Sequence, residues 1–437
     1  MEFGWLILIF IGLLFILMGS GMLIGFCLTG AGVFALLFLV PSGEQILGGA
    51  VYEPVASYTL AAVPMFIFMG EIVLRSGMSE RLYHGVSKWT SIIPGGLLHC
   101  NIASCSIFAA ISGSSVATAA TIGTVAYPEQ TARGYEPRLV KGSLAAGGTL
   151  GILIPPSVTM ILYGGFVGES VGRLFMGGVI PGIILALMFM GCIFVLCMIN
   201  PSWSPDRVRF GPRYFLDAIL AMKDVWPFPV LILVILGGIY GGLWTPTEAA
   251  GVSAALALVL AAIFRKLNLG MLKESTMSTV RTSGMIFLIF IGAQILRTSI
   301  SLLKIPAAVA AFVLGSGLGP LWIWFGIIIM YLIMGCFMDG ISLMLLTLPV
   351  TYPLLILGLG FDSVWFGVLL TILVECALIT PPVGMNFYVI HGITGGDISE
   401  VIQGIVPFFI LMLAAIALYT FVPELVLWLP NLMIGAR

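Results

Sequence analysis

Gly148-Thr-Leu-Gly-Ile-Leu-Ile-Pro155-Pro156-Ser157 sits where a membrane helix should run on, and it cannot. Proline has no N–H, so the pair removes two helical hydrogen bonds and frees the carbonyls of Gly151 and Ile152, four residues earlier. The break recurs 226 residues later in Glu375-Cys-Ala-Leu-Ile-Thr-Pro381-Pro382-Val383-Gly384-Met385-Asn386, where Ala377 and Leu378 lose their partners. A free carbonyl is costly in a bilayer unless protein, water or a cation satisfies it. Matched breaks in two halves of a chain point to the binding site of a secondary transporter.

Composition agrees with that setting. The 437 residues are 60% hydrophobic and only 8% charged, with a mean hydropathy of +1.16. Soluble proteins carry about 25% charged residues, so this is an all-α polytopic membrane protein. A net charge of −1 gives no hint of nucleic acid. Met1-Glu2-Phe3-Gly4-Trp5 lacks a basic region and reads as the start of a retained span, not a signal peptide. Cys27, Cys100, Cys105, Cys192, Cys197, Cys336 and Cys376 lie in or beside apolar stretches without a CxxC. They read as reduced structural thiols, not as a disulfide framework or a zinc site.

A span needs about 20 apolar residues. Spans are expected near 3–18, 21–40, 59–75, 142–165 and 175–199, then near 226–243, 247–264, 282–303, 364–390 and 404–422. Two further apolar regions, 95–127 and 320–353, are interrupted by Ser112-Gly-Ser-Ser115 and Asp339-Gly-Ile-Ser342. Short arms around a Gly/Ser tip suit re-entrant hairpins. Stretches 79–92 and 305–316 read as interfacial arm helices before each hairpin.

Basic residues orient the spans, because cytoplasmic loops are enriched in Lys and Arg. Fourteen of the 18 fall on one side, including Arg75, Arg81, Arg138, Lys141, Arg207, Arg209, Lys273 and Arg281. Arg173, Arg297, Lys304 and Arg437 fall on the other. Both termini are then outside, and the two halves have opposite topology. Matched residues support a duplication: Thr29 with Thr247, Gly70 with Gly292, Tyr127-Pro128 with Tyr352-Pro353, and Pro155 and Pro181 with Pro381 and Pro407. The offset drifts only from about 218 to 226. The expected organisation is one inverted repeat over 1–200, a basic cytoplasmic linker over 201–225, and a second inverted repeat over 226–437.

Ile111-Ser-Gly-Ser-Ser-Val-Ala-Thr118, Gly148–Ser157, Tyr240-Gly-Gly-Leu-Trp-Thr-Pro-Thr-Glu-Ala-Ala250 and Pro381-Pro-Val-Gly-Met-Asn386 occur in this order. Together they make the chain resemble the large membrane subunit of the tripartite ATP-independent periplasmic (TRAP) transporters. The resemblance runs over essentially the full length. It implies sodium-coupled import of a carboxylate across a bacterial inner membrane, with a transport domain sliding as an elevator against a scaffold. It also implies two partners, a small four-helix membrane subunit and a soluble periplasmic substrate-binding protein. No hydrophilic stretch here is long enough to be either.

A hard cation such as sodium takes about five or six oxygens, by analogy with other hard cations. At the first junction the expected ligands are Ser112, Ser115, Gly151, Ile154 and Pro155. The repeat offset maps the last three onto Ala377, Thr380 and Pro381, with Val383 and Gly340 completing the second junction. The resemblance also implies sodium at these two places, so at least two ions are expected. The anionic substrate is expected between them, near half-helix N-termini at Pro156-Ser157 and Pro382-Val383 whose dipoles favour negative charge. Ser114, Asp339 and Asn386 would join it. For the serines the bland alternative is small-residue packing; for Asn386 it is a helix–helix hydrogen bond.

Charges inside the membrane are functional by default. Asp339 at a tip would couple a cation or stabilise the tip, and Glu375 would partner a proton or cation. Glu71 reads as an i,i+4 pair with Arg75, and Glu248 as part of a helix cap after Thr245. An intramembrane enzyme lacks a positioned base, and a channel would not need paired breaks. A stand-alone sodium–dicarboxylate symporter is the runner-up.

Overall fold

The computed structural model describes residues 3–205, 212–382 and 384–433, and every regular element among them is helical. Among the described residues six helices are each long and apolar enough to cross a membrane, and two bent pairs raise that to as many as eight.

Helix boundaries in the second part of the chain follow those of the first in order. Ile24–Phe38 is followed by Gly43–Val55 and Ala62–Arg75; Pro246–Ile263 is followed by the single 34-residue helix Leu269–Leu302. Then come Met78–Thr90 and Ile305–Leu314, the expected arm helices. Next are two helix–tip–helix pairs, Leu97–Ser112 with Ser115–Ala132, and Pro320–Gly335 with Gly340–Tyr352. The broken helices are Pro137–Leu153 with Val158–Val167, and Ser363–Ile379 with Met385–Thr394. Val171–Ile199 and Ile398–Phe421 close the two series.

Several elements differ from the expectation, among them Glu424–Met433, which follows the last expected span. Gly43–Val55 was not foreseen, because Gly48-Gly49, Glu53 and Pro54 interrupt its apolar pattern; it meets Thr59–Arg75 at a 49° bend. Leu269–Leu302 begins well before the expected 282, its polar first turns reaching beyond the apolar run. The linker is not only a linker. Its helix Pro212–Val225 packs on Met78–Thr90, where Arg81 pairs with Asp224 at 3.6 Å and Gly85 leaves room for Val225. Arg207, Arg209 and Arg437 lie outside the described residues.

The two series are interleaved. Helix Ile24–Phe38 lies along Leu269–Leu302 so closely that a Cβ on Gly292 would stand 2.6 Å from the carbonyl of Gly25. Small residues let membrane helices approach in this way. Ser299 adds a hydroxyl bond to the Gly32 carbonyl at 2.8 Å, so this seam joins the first series to the second.

Candidate functional site

The first break is built against the first tip. Helix Pro137–Leu153 ends where Ile154 turns extended, φ −78 and ψ 121, and Pro155-Pro156 is a cis pair. Ser157 then caps the next half-helix, accepting from the Met160 amide at 3.3 Å. Gly113, at φ +58, lets the tip turn sharply beside the Pro156 carbonyl, and its own carbonyl accepts from the Val158 amide at 3.5 Å. Behind the tip, the Ser112 and Thr118 hydroxyls are 2.7 Å apart, and Thr118 donates to the Ser114 carbonyl at 2.8 Å. Ser115 donates across to the Thr149 carbonyl at 3.2 Å. Gly151 faces the main chain of Ser114 and Ser115 with no room for a side chain. Ser112, Ser115, Gly151 and Ile154 are thus brought to one junction, with Pro155 and Pro156 buried beside it.

The second break repeats the pattern with differences. Thr380 is extended at φ −95 and ψ 125, and Pro381-Pro382 is again cis. Gly340 packs on Val374 and Leu378, and Gly335 on Ala377, so this tip also rests on its own broken helix. The Ala377 carbonyl, expected to be free, accepts the Thr380 amide at 3.2 Å and keeps one lone pair. The Thr380 hydroxyl bonds back to Cys376 at 2.5 Å, and its carbonyl accepts the Gly384 amide at 3.1 Å. That turn delays the second half-helix. It starts at Met385, not at Pro382-Val383 as expected, so Asn386 stands in its first turn. Pro381 and Pro382 are exposed, whereas the first pair is buried. Val383 lies outside the described residues.

Between the two junctions lies a cavity of about 150 Å³. Both tips reach it, through Gly113, Ser114 and Ser115 on one side and Asp339 and Gly340 on the other. Both broken helices wall it, through Ile152, Val158 and Thr159, and through Val374, Leu378 and Met385. Asp339 caps the returning arm, accepting from the Ser342 amide at 3.1 Å, so it stabilises the tip while facing the cavity.

Residues 11–425 match the family model described as the tripartite ATP-independent periplasmic transporter, DctM component. The chain belongs to the DctM family. It is 33% identical to the C4-dicarboxylate TRAP transporter large permease protein DctM of Pseudomonas aeruginosa, over 92% of this chain and 93% of that one. It is 29% identical to the sialic acid TRAP transporter large permease protein SiaM of Vibrio cholerae, over 99% and 98%. Among solved structures, the YdaH transporter of Alcanivorax borkumensis shares the fold at a TM-score of 0.62 and 14% identity, over 89% of each chain.

Asn386 and Glu375 of the second broken helix are among the buried polar groups of this DctM-family chain that lack a hydrogen-bond partner in the described residues. Asn386 is fully buried, and neither its amide oxygen nor its nitrogen is hydrogen-bonded. The helix–helix hydrogen bond that was its bland reading is therefore not made. Glu375 is also fully buried; the Ile152 and Leu153 backbone of the first broken helix acts on its carboxyl group, yet neither carboxyl oxygen makes a hydrogen bond of good geometry. Orphaned buried polar groups cost about 1–3 kcal/mol each, so they need a reason. Elsewhere the expected bland readings hold. Glu71 pairs with Arg75 at 3.1 Å, and Glu248 completes a capping box with Thr245.

Thr159, Thr282 and Ile286 line the cavity and were not foreseen. Thr282 belongs to Leu269–Leu302, whose sequence does not show which face meets the tips. It also lines a cleft of about 640 Å³ with Arg75, Lys273 and Arg281, so the cavity adjoins a basic cleft.

Proposed function

We propose that the chain is the large permease of a sodium-coupled importer of small carboxylates. The observation carrying this reading is the cavity bounded by both tips and both broken helices. Half-helices begin at Val158 and Met385 beside the cavity, and helix dipoles favour an anion there. The hydroxyls of Ser114 and Thr159 suit a carboxylate better than a cationic or apolar solute. In this reading Ser114, Pro156, Ser157, Asp339, Pro382 and Asn386 surround the substrate.

The flanking junctions suit sodium. Ser112, Ser115, Gly151, Ile154 and Pro155 present hydroxyl and main-chain oxygens at the first; Gly340, Ala377, Thr380 and Pro381 do so at the second. Glu375, fully buried without a bonded partner, is a side chain whose charged form would need a cation or a proton to compensate it. At least two ions would bind. The parallel order of helix boundaries, with the Lys/Arg bias, supports two inverted-topology repeats whose tips act as re-entrant hairpins in a sliding transport domain. Both termini would be periplasmic in a bacterial inner membrane.

The word tripartite in the family description, and the name large permease protein borne by the relatives, support a small membrane subunit and a periplasmic binding protein as partners. The relatives' names span C4-dicarboxylates, isethionate, sialic acid and ectoine, a range of small organic acids that supports a solute of that class without choosing among them. The test is uptake into proteoliposomes holding the permease and its small subunit. Uptake should need both a sodium gradient and the cognate binding protein. Full uptake without the binding protein would favour a stand-alone sodium–dicarboxylate symporter, and sodium-independent flux would sink both.

A further inference from the structure

A second cleft, of about 640 Å³, lies away from the tips. It runs between the end of half-helix Val158–Val167, the last turns of Leu269–Leu302, arm helix Ile305–Leu314 and the returning arm Gly340–Tyr352. Its polar lining includes Arg297, Ser301 and Lys304. These two cations are notable for where they are. The face that the charge bias places outside carries four basic residues, Arg437 among them outside the described set. Of the other three, Arg173 pairs with Glu169 at 3.5 Å. Arg297 and Lys304 form no ion pair among the described residues, and both line the same cleft.

Arg297 is also held in position. Its guanidinium lies 4.9 Å from the centre of the Phe166 ring, donates to the Phe166 carbonyl, and donates to the Gln294 side chain at 3.4 Å. Both bonds use Nη1, so Nε and Nη2 keep donors for a ligand. Glu53 acts on Arg297 only from beyond ion-pair distance. A fixed guanidinium and an unpaired ammonium in one cleft make an anion site, because low-dielectric walls focus their field.

We propose that this cleft receives the carboxylate of the substrate on the outer face, as a subsite distinct from the central cavity. The proposal rests on the import reading above. A lipid phosphate headgroup has the same anionic chemistry, so the experiment separates the two.

The experiment uses the assembled complex in proteoliposomes with succinate as probe, comparing wild type with Arg297→Gln, Lys304→Gln and the pair. Vesicles are made with phosphatidylcholine alone or with added phosphatidylglycerol. Loss of field focusing should raise the KM for succinate by roughly tenfold in the double variant, with the maximal rate within about twofold. The wild-type KM should rise with ionic strength, and the variants should lose that dependence. An unchanged KM would overturn the proposal. So would a change seen only in phosphatidylglycerol vesicles, which would assign the cleft to lipid. Lys304 makes no side-chain contact that the fold relies on, so Lys304→Gln decides alone if Arg297→Gln does not fold. Succinate-induced stabilisation of the purified complex separates the two readings. Stabilisation that Lys304→Gln abolishes, without any wild-type uptake, would sink import and leave the cleft standing. Uptake with a variant-independent KM would do the reverse.

Discussion

The ammonium of Lys141 lies 2.7 Å from the carboxylate of Glu400 and 3.0 Å from the carbonyl of Gly395, tying the first broken helix to the end of the second series. Its side chain is 1% exposed, whereas that of Glu400 is 36% exposed. The two partners should therefore respond unequally to removal. Glu400→Gln strands a buried ammonium with only neutral acceptors, which costs about 2–3 kcal/mol. Lys141→Met leaves a carboxylate that water can reach and should cost about 1 kcal/mol or less. Thermal unfolding in detergent reads the difference. Equal shifts in midpoint would mean that the burial asymmetry has no energetic weight.

Lys141 also shows what the sequence can and cannot reveal. In the sequence it is one of fourteen basic residues that the charge bias groups on one side, and that is all its neighbours in sequence allow. Its burial depends on a chain segment more than 250 residues away. The Pro-Pro breaks were legible because proline acts locally on its own helix, and the tips were legible because Gly and Ser interrupt an apolar run. Thr159 and Thr282 were not, since an isolated threonine in an apolar helix marks no face. Helix Gly43–Val55 stayed hidden for a related reason: its fold rests on packing against Leu269–Leu302, not on its own pattern. The Thr380–Ala377 bond, too, follows from a turn geometry that two prolines alone do not specify.

Ser115, at the first tip, and Thr380, at the second break, each bring a hydroxyl to a junction. Each hydroxyl donates to a main-chain carbonyl, of Thr149 at 3.2 Å and of Cys376 at 2.5 Å, leaving oxygen lone pairs for a cation. Ser115→Ala and Thr380→Val should each raise the half-saturating sodium concentration by about tenfold, equivalent to about 1.4 kcal/mol. Expression should be unaffected. Sodium titrations that do not move in either variant would leave both junctions without support as ion sites.

Asp339 has two separable roles, because asparagine caps helices as well as aspartate does. Asp339→Ala should lose the bond to the Ser342 amide and destabilise the arm by about 1 kcal/mol. Asp339→Asn should keep the thermal midpoint yet shift sodium dependence upward. If Asp339→Asn transports with an unaltered sodium titration, the carboxylate serves the tip as a cap and nothing more.

Thr282 is shared by the central cavity and the basic cleft of Arg75, Lys273 and Arg281. In a cysteine-free background, Thr282→Cys should react with a membrane-impermeant thiol reagent supplied from the Lys/Arg-rich side. Substrate with sodium should slow the labelling. Reaction from the opposite side alone would reverse the direction in which this conformation opens.

Gly151 gives the sharpest test of the first junction, because its neighbours are main chain and cannot swing aside. A Cβ there would stand 2.6 Å from the Ser114 carbonyl oxygen and 2.8 Å from the Ser115 Cα. Alanine normally stabilises a helix over glycine by about 0.5–1 kcal/mol. Gly191, in helix Val171–Ile199, has nothing within 4 Å of its would-be Cβ and supplies the control. Gly191→Ala should leave uptake intact and the fold at least as stable. Gly151→Ala should push the tip off the break, abolishing sodium-driven uptake while the membrane-inserted helices stay folded. Near-normal uptake by Gly151→Ala would mean that the tip need not sit against the freed carbonyls, and the ion site would have to be sought elsewhere.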